Sequence, residues 1–282
     1  MTQHEQFAIE TPGAIDTAIV RLDAPAPRLP ISGAPRQLRW DATHFYFVTG
    51  NAVARLSRQG ASRPDVVASA PMIGELEIVG GRLVWAEQST LHMEGGVGPG
   101  RPGQLSAVER SGGKPFVLVP DVQARSLAVE GSRIYFSNGD AIERIDADGG
   151  GRSRLVASTG VTPLLRPDGG WLYFTRKGGV SRVDDSGRTE AVANDIEIPI
   201  GLAVHGGDVV ILANAVINRP HPEYERPARL IRVSPGGPPR VVWSARDTLV
   251  SDLEVSTGHA RFTRRLPGTL EPVLVEVALG AS

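Results

Sequence analysis

Residues Ala124–Ala157, ARSLAVEGSRIYFSNGDAIERIDADGGGRSRLVA, hold four short apolar or alternating runs separated by turn signals, and the other segments of the chain read as copies or interruptions of this stretch. Ser126–Glu130 alternates apolar with small or polar residues, and Gly131-Ser132 turns the chain. Arg133–Ser137 is β-branched and aromatic, and Asn138-Gly139-Asp140 is a hairpin signal. Ala141–Asp146 alternates again, Asp148–Gly151 turns, and Arg154–Ala157 closes the unit. The pattern predicts a four-stranded antiparallel meander.

Aligning the rest of the chain on Leu127 brings Leu38, Leu76, Leu165, Leu202 and Leu253 into register, each followed by a hairpin and an apolar second strand such as Phe45-Tyr46-Phe47, Leu83-Val84-Trp85 or Leu172-Tyr173-Phe174. Successive leucines are 38, 51, 38, 37 and 51 residues apart. A four-stranded unit of that basic length is a propeller blade, slightly below the roughly 40–45 residues of WD40 units and without their Gly-His and Trp-Asp signatures. Helical solenoids would show a period of about 3.6, which these segments lack, and leucine-rich repeats are much shorter.

The expected fold is therefore all-β, a six-bladed β-propeller of four-stranded antiparallel blades forming a single domain over residues 1–282. Blades 1–5 fall at about 35–70, 72–121, 124–158, 161–194 and 198–245, and 249–282 holds most of blade 6. The last unit has strands near Ser251–Val255, Ala260–Thr263 and Pro272–Ala278 and then stops, so residues 1–34 are expected to supply the closing strand. Ala18–Asp23 mimics a third strand and Arg28–Ser32 a fourth, which leaves seven blades, one of them partial, as the alternative.

Composition narrows the class. With 41% hydrophobic and 22% charged residues the chain is an ordinary globular one, and its 33 glycines and 22 prolines serve many tight connections. A net charge of −1 gives no field to draw nucleic acid or an anionic membrane, so neither is expected as a partner, and a monomer is expected. Lys114 and Lys177 are the only lysines among 30 basic residues, a usage that fits a GC-rich, bacterial-like genome. Without cysteine there are no disulfides, thiolate metal sites or cysteine nucleophiles. The amino-terminal MTQHEQFAIE has no signal-peptide character and no window reaches the roughly 20 apolar residues of a membrane span, so a cytoplasmic protein is expected; an extracytoplasmic one with its leader removed would read the same.

The pattern Leu-Ala-Val-x-Gly-x-x-Ile-Tyr-Phe (127–136), Ile-Gly-Leu-Ala-Val-His-Gly-Gly (200–207), and the third-strand Ile-x-Arg-Ile-Asp (142–146) and Val-x-Arg-Val-Asp (180–184) resembles the six-bladed propellers of the superfamily that holds NHL-repeat proteins, YWTD domains, TolB-like propellers, gluconolactonase/regucalcin and strictosidine synthase. The resemblance covers nearly the whole chain and implies architecture more than activity.

In a propeller the loop leading into each innermost strand and the loop between second and third strands share one face, which usually carries function. The two long repeats owe their length to second-to-third-strand loops: Glu87–Gly103 (EQSTLHMEGGVGPGRPG) in blade 2 and Ala213–Ala228 (ANAVINRPHPEYERPA) in blade 5. In a ring of six these face each other across the channel mouth, as walls of a pocket or as surface decoration.

The aligned positions at the start of the six innermost strands are Gln37, Glu75, Ser126, Leu164, Gly201 and Asp252, so Asp252, Gln37 and Glu75 form one polar arc. Glu75 and Asp252 could help hold a hard divalent cation such as Ca²⁺ or Mg²⁺, or act as acid and base; the other possibility is no cofactor at all. The gluconolactonase/regucalcin resemblance implies a metal held by glutamate, asparagines and aspartate, but none of the six positions here is asparagine; Asn138 and Asn214 end second strands instead. Two residues further, Glu254, Arg39 and Glu77 read as charges that neutralise one another between adjacent blades.

His92 and His221 lie in the two long loops with Glu94, Glu223, Tyr224 and Glu225 nearby, and either is a general acid or base over the channel or a plain surface residue. The pair is similar to the lyase that opens the virginiamycin B ring, although that family is seven-bladed and its histidine motif is missing here. His44, His205 and His259 belong to turns on the opposite face. Tyr224 is the candidate exposed aromatic contact, and Arg125 either binds an anionic group or pairs with Asp121.

Two functions follow. One is a propeller binding a small ligand or partner protein at the mouth walled by 87–103 and 213–228, using Gln37, Arg125, Ser126, Asn138, Asn214 and Tyr224. The other is an enzyme of hydrolase/lactonase, lyase or cyclase type, resembling the gluconolactonase, strictosidine synthase or streptogramin lyase groups, using Glu75, Asp252 and a loop histidine.

Overall fold

The computed structural model of the chain describes residues 7–10, 17–21, 29–31, 35–59, 63–88, 103–214, 227–246, 248–256, 258–265 and 273–279, leaving aside the side chains of residues 7–31, Asp252 and Ser256. Among the described residues every regular element is a strand. An amino-terminal sheet contains β1 (Phe7–Glu10), β2 (Thr17–Arg21) and β3 (Leu29–Ile31). Sheet I follows with β4 (Arg36–Trp40), β5 (His44–Thr49), β6 (Ala52–Ser57) and β7 (Asp65–Ser69), and sheet II with β8 (Ile73–Val79), β9 (Arg82–Glu87), β10 (Gln104–Glu109) and β11 (Phe116–Val119). Sheet III is β12 (Leu127–Glu130), β13 (Arg133–Asn138), β14 (Ala141–Asp146) and β15 (Ser153–Val156). Sheet IV is β16 (Leu165–Asp168), β17 (Trp171–Arg176), β18 (Gly179–Asp184) and β19 (Thr189–Asn194). Sheet V is β20 (Pro199–His205), β21 (Asp208–Ala213), β22 (Ala228–Val233) and β23 (Arg240–Ala245), and sheet VI is β24 (Leu249–Ser256), β25 (His259–Arg265) and β26 (Val273–Ala278). Strands in every sheet pair in chain order, so sheets I–V are the predicted four-stranded meanders.

Among the described residues the amino-terminal strands pair with one another. β2, which contains most of AIVRLD, pairs on one side with β1 and on the other with β3, so it cannot also be an outer strand of sheet VI. Both hydrogen-bonding edges of that segment are already used.

The chain divides into two compact units, Met1–Gly139 with Arg144–Arg152, and Asp140–Glu143 with Ser153–Ser282. In the first, β9 alternates its side chains between two cores. Leu83 and Trp85 join Tyr46, Val48, Val53 and Leu76, while Val84 and Ala86 join Leu105, Leu127, Ile134 and Phe136. A strand buried on both faces has no solvent side, which is why second strands read as continuous apolar runs. In the second unit, Ile211 and Ala213 pack with Tyr173, Val180 and Leu202, and Val210 and Leu212 pack with Val250, Ala260 and Phe262. Burying each such side chain contributes roughly 1.5–3 kcal/mol. Outer strands are different: Val66, Val117, Val241, Val273 and Leu274 are exposed.

One backbone arrangement recurs at the four connections that lead from sheet I through to sheet V. The lead-in loop donates to the hairpin of the sheet it has left, from Ala70 N to Asn51 O (3.0 Å), Val122 N to Gly103 O (2.9 Å), Thr159 N to Asp140 O (2.9 Å) and Ile196 N to Gly178 O (3.4 Å). It also accepts from the residue after the second strand of the sheet it leads into, at Met72 O from Gln88 N (3.1 Å), Gln123 O from Gly139 N (3.2 Å), Thr159 O from Lys177 N (2.8 Å) and Ile198 O from Asn214 N (3.1 Å). Met72, Asp121, Asp195 and Ile198 take left-handed backbone angles of 51°, 53°, 58° and 48° to make these loops tight.

At the opposite end of sheet I, Asp41 gathers its neighbours. Its Oδ1 accepts from Thr43 N (2.7 Å), Thr43 Oγ1 (2.8 Å) and His44 N (2.9 Å), and its Oδ2 accepts from Tyr46 Oη (2.9 Å) and Arg110 Nη1 (2.5 Å) of sheet II. Burial pushes the carboxyl's pKa up, but the bonds from Thr43, His44 and Tyr46 outweigh it and hold the group well below the usual carboxylate range. Tyr46, by burial and by its bond to Asp41, is pushed up to about 12.

A carboxyl depressed on folding contributes stability that is full above its unfolded value, near about 4, and is lost as pH falls through the folded value. Asp41→Asn should therefore unfold in urea with a deficit of about 1–3 kcal/mol at neutral pH. The deficit should shrink below about pH 4. A deficit that is constant down to pH 2 would show that the ionised carboxylate is not the stabilising form.

Candidate functional site

Four of the six aligned positions, Gln37, Glu75, Gly201 and Asp252, coincide with backbone irregularities of the innermost strands. In β4, Arg36 pairs with Val48 and Arg39 with Tyr46, so Gln37 and Leu38 together oppose Phe47. In β8, Gly74 and Glu75 oppose Ala86; in β24, Asp252 and Leu253 oppose Phe262; and β20 slips between Pro199 and Gly201. Gln37 reaches φ 58°, a left-handed angle, inside its bulge. Each bulge frees backbone donors that must find acceptors elsewhere.

At the unbulged starts of innermost strands and in the loops before them, backbone donors are taken up by side chains of second strands and of preceding sheets. Ser137 Oγ accepts from Arg125 N and Ser126 N (both 3.0 Å), and Thr175 Oγ1 accepts from Leu164 N (2.8 Å). Glu75 Oε2 accepts from Leu127 N (2.5 Å), linking sheet II to the innermost strand of sheet III. Asn214 Oδ1 accepts from Val250 N (3.3 Å), the same link from sheet V to sheet VI, and Asn138 Oδ1 accepts from Gln123 N (3.1 Å). Two of the candidate binding residues, Asn138 and Asn214, and the candidate acid–base carboxylate Glu75 thus hold backbone.

Ser126 is buried, Gln37 half-buried and Arg125 exposed, and Arg125 makes no ion pair with Asp121. Arg39 and Glu77 meet as read from sequence, in a bidentate pair: Nε to Oε2 at 2.8 Å and Nη2 to Oε1 at 2.6 Å. Burial pulls the Arg39 pKa down, yet the charge and hydrogen bonds of Glu77, with the charge of Glu75, carry it above its ordinary value. His92, His221 and Tyr224, and the side chain of Asp252, lie outside the described residues. A Ca²⁺ or Mg²⁺ site needs several oxygen ligands together, and among the described residues no three His, Asp or Glu side chains gather. Of the two carboxylates read as metal ligands, Glu75 gives its Oε2 to Leu127 N, and the side chain of Asp252 lies outside the described residues.

Glycine at position 201 has a steric cause. A Cβ there would stand 2.7 Å from Leu253 Cβ and 3.0 Å from Leu212 Cβ, so only glycine lets β20 and β24 approach this closely.

A second row of residues, the carboxyl ends of the second strands, is missed by reading only strand starts. It contains Thr49, Glu87, Asn138, Arg176 and Ala213. Arg176 is held by Ser181 Oγ (2.8 Å) and Asn194 Oδ1 (2.5 Å). Glu87, buried at 8% exposure, accepts at Oε1 from Trp85 Nε1 (3.2 Å) and Ser106 Oγ (2.5 Å). The sequence signal was present: Glu87 continues the alternation Leu83, Trp85 and so belongs to β9, whereas it had been read as the first residue of the loop.

No family profile and no curated protein matches the chain. Solved structures do. The chain is similar to nidogen from a nidogen/laminin complex (17% identity, 79% of this chain and 85% of that one, TM-score 0.55) and to a TolB protein from Agrobacterium tumefaciens (17%, 77% and 84%, 0.55). It is also similar to BamB from Moraxella catarrhalis (13% identity, 91% of this chain and 92% of that one, TM-score 0.55). At these identities the likeness shows the fold, a β-propeller, and among the described residues no helix is long and apolar enough to cross a membrane.

Two substitutions test this account by thermal or urea melts. Glu75→Ala, which orphans Leu127 N, should destabilise by about 1–3 kcal/mol while Glu75→Gln, which keeps an acceptor, stays near wild type. Gly201→Ala should destabilise by about 1–3 kcal/mol through overpacking. Equal melts for Glu75→Ala and wild type would remove the bracing role.

Proposed function

We propose that this β-propeller binds a small ligand or a partner protein through its two long second-to-third-strand connections, segments 87–103 and 213–228, each within its own unit. The observation that carries the reading is a contrast between sheets. Sheets I, III and IV join second to third strand through two residues, at 50–51, 139–140 and 177–178, whereas sheets II and V leave at Glu87 and Ala213 and resume at Gln104 and Ala228. Long insertions confined to one kind of connection, on repeats that otherwise use the shortest turn, are what a loop-built recognition surface requires.

The fold relatives are consistent with this. Nidogen was seen in complex with laminin, which supports a protein partner. Seven hydrogen-bonded sheets, of which β1–β3 and β24–β26 have three strands each, favour the form with seven blades over the six-bladed form. The acid–base alternative is less supported, because Glu75, its central carboxylate, is engaged by backbone.

Replacing 88–103 or 214–227 by Asn-Gly should leave the β circular dichroism and the melting temperature nearly unchanged. Each variant should then fail to retain the ligands or partners that immobilised wild-type protein captures and mass spectrometry identifies. Unchanged capture by both shortened variants would overturn the proposal.

A further inference from the structure

Three charged residues are buried in the described structure: Glu87, Glu143 and Arg232. Glu143 has Arg154 at 3.1 Å and Arg232 has Asp208 at 2.5 Å. Glu87 has no basic partner among the described residues, and both of its hydrogen bonds fall on one oxygen, Oε1. Its other oxygen, Oε2, accepts nothing, and it is not among the partnerless atoms closed off from solvent, which are Asp208 Oδ1 and Arg229 Nε. A carboxylate that is mostly buried, has no counter-charge beside it and keeps one oxygen open to solvent is placed to take a cation from solution.

The carboxyl is also held in one orientation. Trp85 Nε1 fixes it from a ring packed in the core between sheets I and II, and Ser106 Oγ, itself accepting from Gln104 Nε2 (3.0 Å), fixes it from the neighbouring strand. A carboxylate oriented in advance loses little freedom on binding. The equivalent place in sheet IV shows the contrast, since there Arg176 donates from all three of its nitrogens, to Ser181 Oγ, Lys177 O and Asn194 Oδ1.

We infer that Glu87 is the anchor for an organic cation, an ammonium or guanidinium, which meets Oε2 at the end of sheet II where the first long insertion begins. The inference rests on the reading that this end of the sheet binds, and it names the charge of what is bound. The cation is a free small amine or a basic side chain of a polypeptide, and the two share this chemistry.

The test is titration calorimetry with agmatine and with the blocked peptide acetyl-Ala-Arg-Ala-amide, using the neutral citrulline peptide as control, on wild type and Glu87→Gln. The glutamine keeps an acceptor for Trp85 and Ser106 and removes the charge. The expected result is saturable binding of at least one cationic probe, 10-fold or more tighter than the citrulline peptide, with the difference lost in Glu87→Gln; agmatine alone points to a free amine, the peptide to a polypeptide. Without probe, Glu87→Gln should melt higher than wild type. Equal binding of arginine and citrulline peptides, no saturable binding of either cation, or a lower melting temperature for Glu87→Gln would overturn the inference. Glu87-dependent cation binding alongside unchanged partner capture by the shortened variants would sink the insertion reading alone. Capture lost by those variants with no charge discrimination at Glu87 would sink this one alone.

Discussion

The lead-in loops depend on backbone hydrogen bonds that owe nothing to side-chain identity, and the stacking of sheets depends on the lead-in loops. Ala70, Val122, Thr159 and Ile196 each donate back to the hairpin just left, while Met72, Gln123, Thr159 and Ile198 each accept from the end of the next second strand. A loop held on both sides fixes how far one sheet lies from the next, and so whether Trp85 or Ile211 finds a closed core on either face. Because the clasp is made of main chain, the hairpin beyond it is free to lengthen, as in sheets II and V.

Polar side chains act as the second layer of this bracing. Glu75, Asn138 and Asn214 accept from backbone, Asp41 ties Tyr46 to Arg110, and Arg82 Nη1 donates to Ala147 O at 2.9 Å. Polar residues at the ends of the sheets satisfy backbone donors of lead-in loops and strand starts, and so polarity there is poor evidence of chemistry. Glu87 differs because its bonds orient it without neutralising it.

Much of the fold was legible in sequence. Phe45-Tyr46-Phe47, Leu83-Val84-Trp85 and Leu172-Tyr173-Phe174 are second strands buried on both faces, and the leucine spacing located all six repeats because apolar pattern and turn residues are local signals. The pairing of Arg39 with Glu77 was also readable, as two charges one repeat apart. Bulges at Gln37 and Glu75 were not readable, since a bulge is a property of two strands together. The neighbours of β2 were not readable for a similar reason: AIVRLD alternates like any third strand, and nothing in it says which strands it pairs with. Glu87 was misplaced by a single residue at a strand boundary, which at period two decides which face a side chain joins.

The chain-order pairing of every sheet has a kinetic consequence. Since β4 through β7, and each later set, pair only with immediate sequence neighbours, a sheet forms from one contiguous stretch without waiting for distant segments. The clasp bonds likewise join a loop to the hairpin just before it, as Ala70 does with Asn51. Such a chain can assemble progressively during synthesis, each completed sheet offering an apolar face as a template for the next, and the loop-closure entropy of each step stays small.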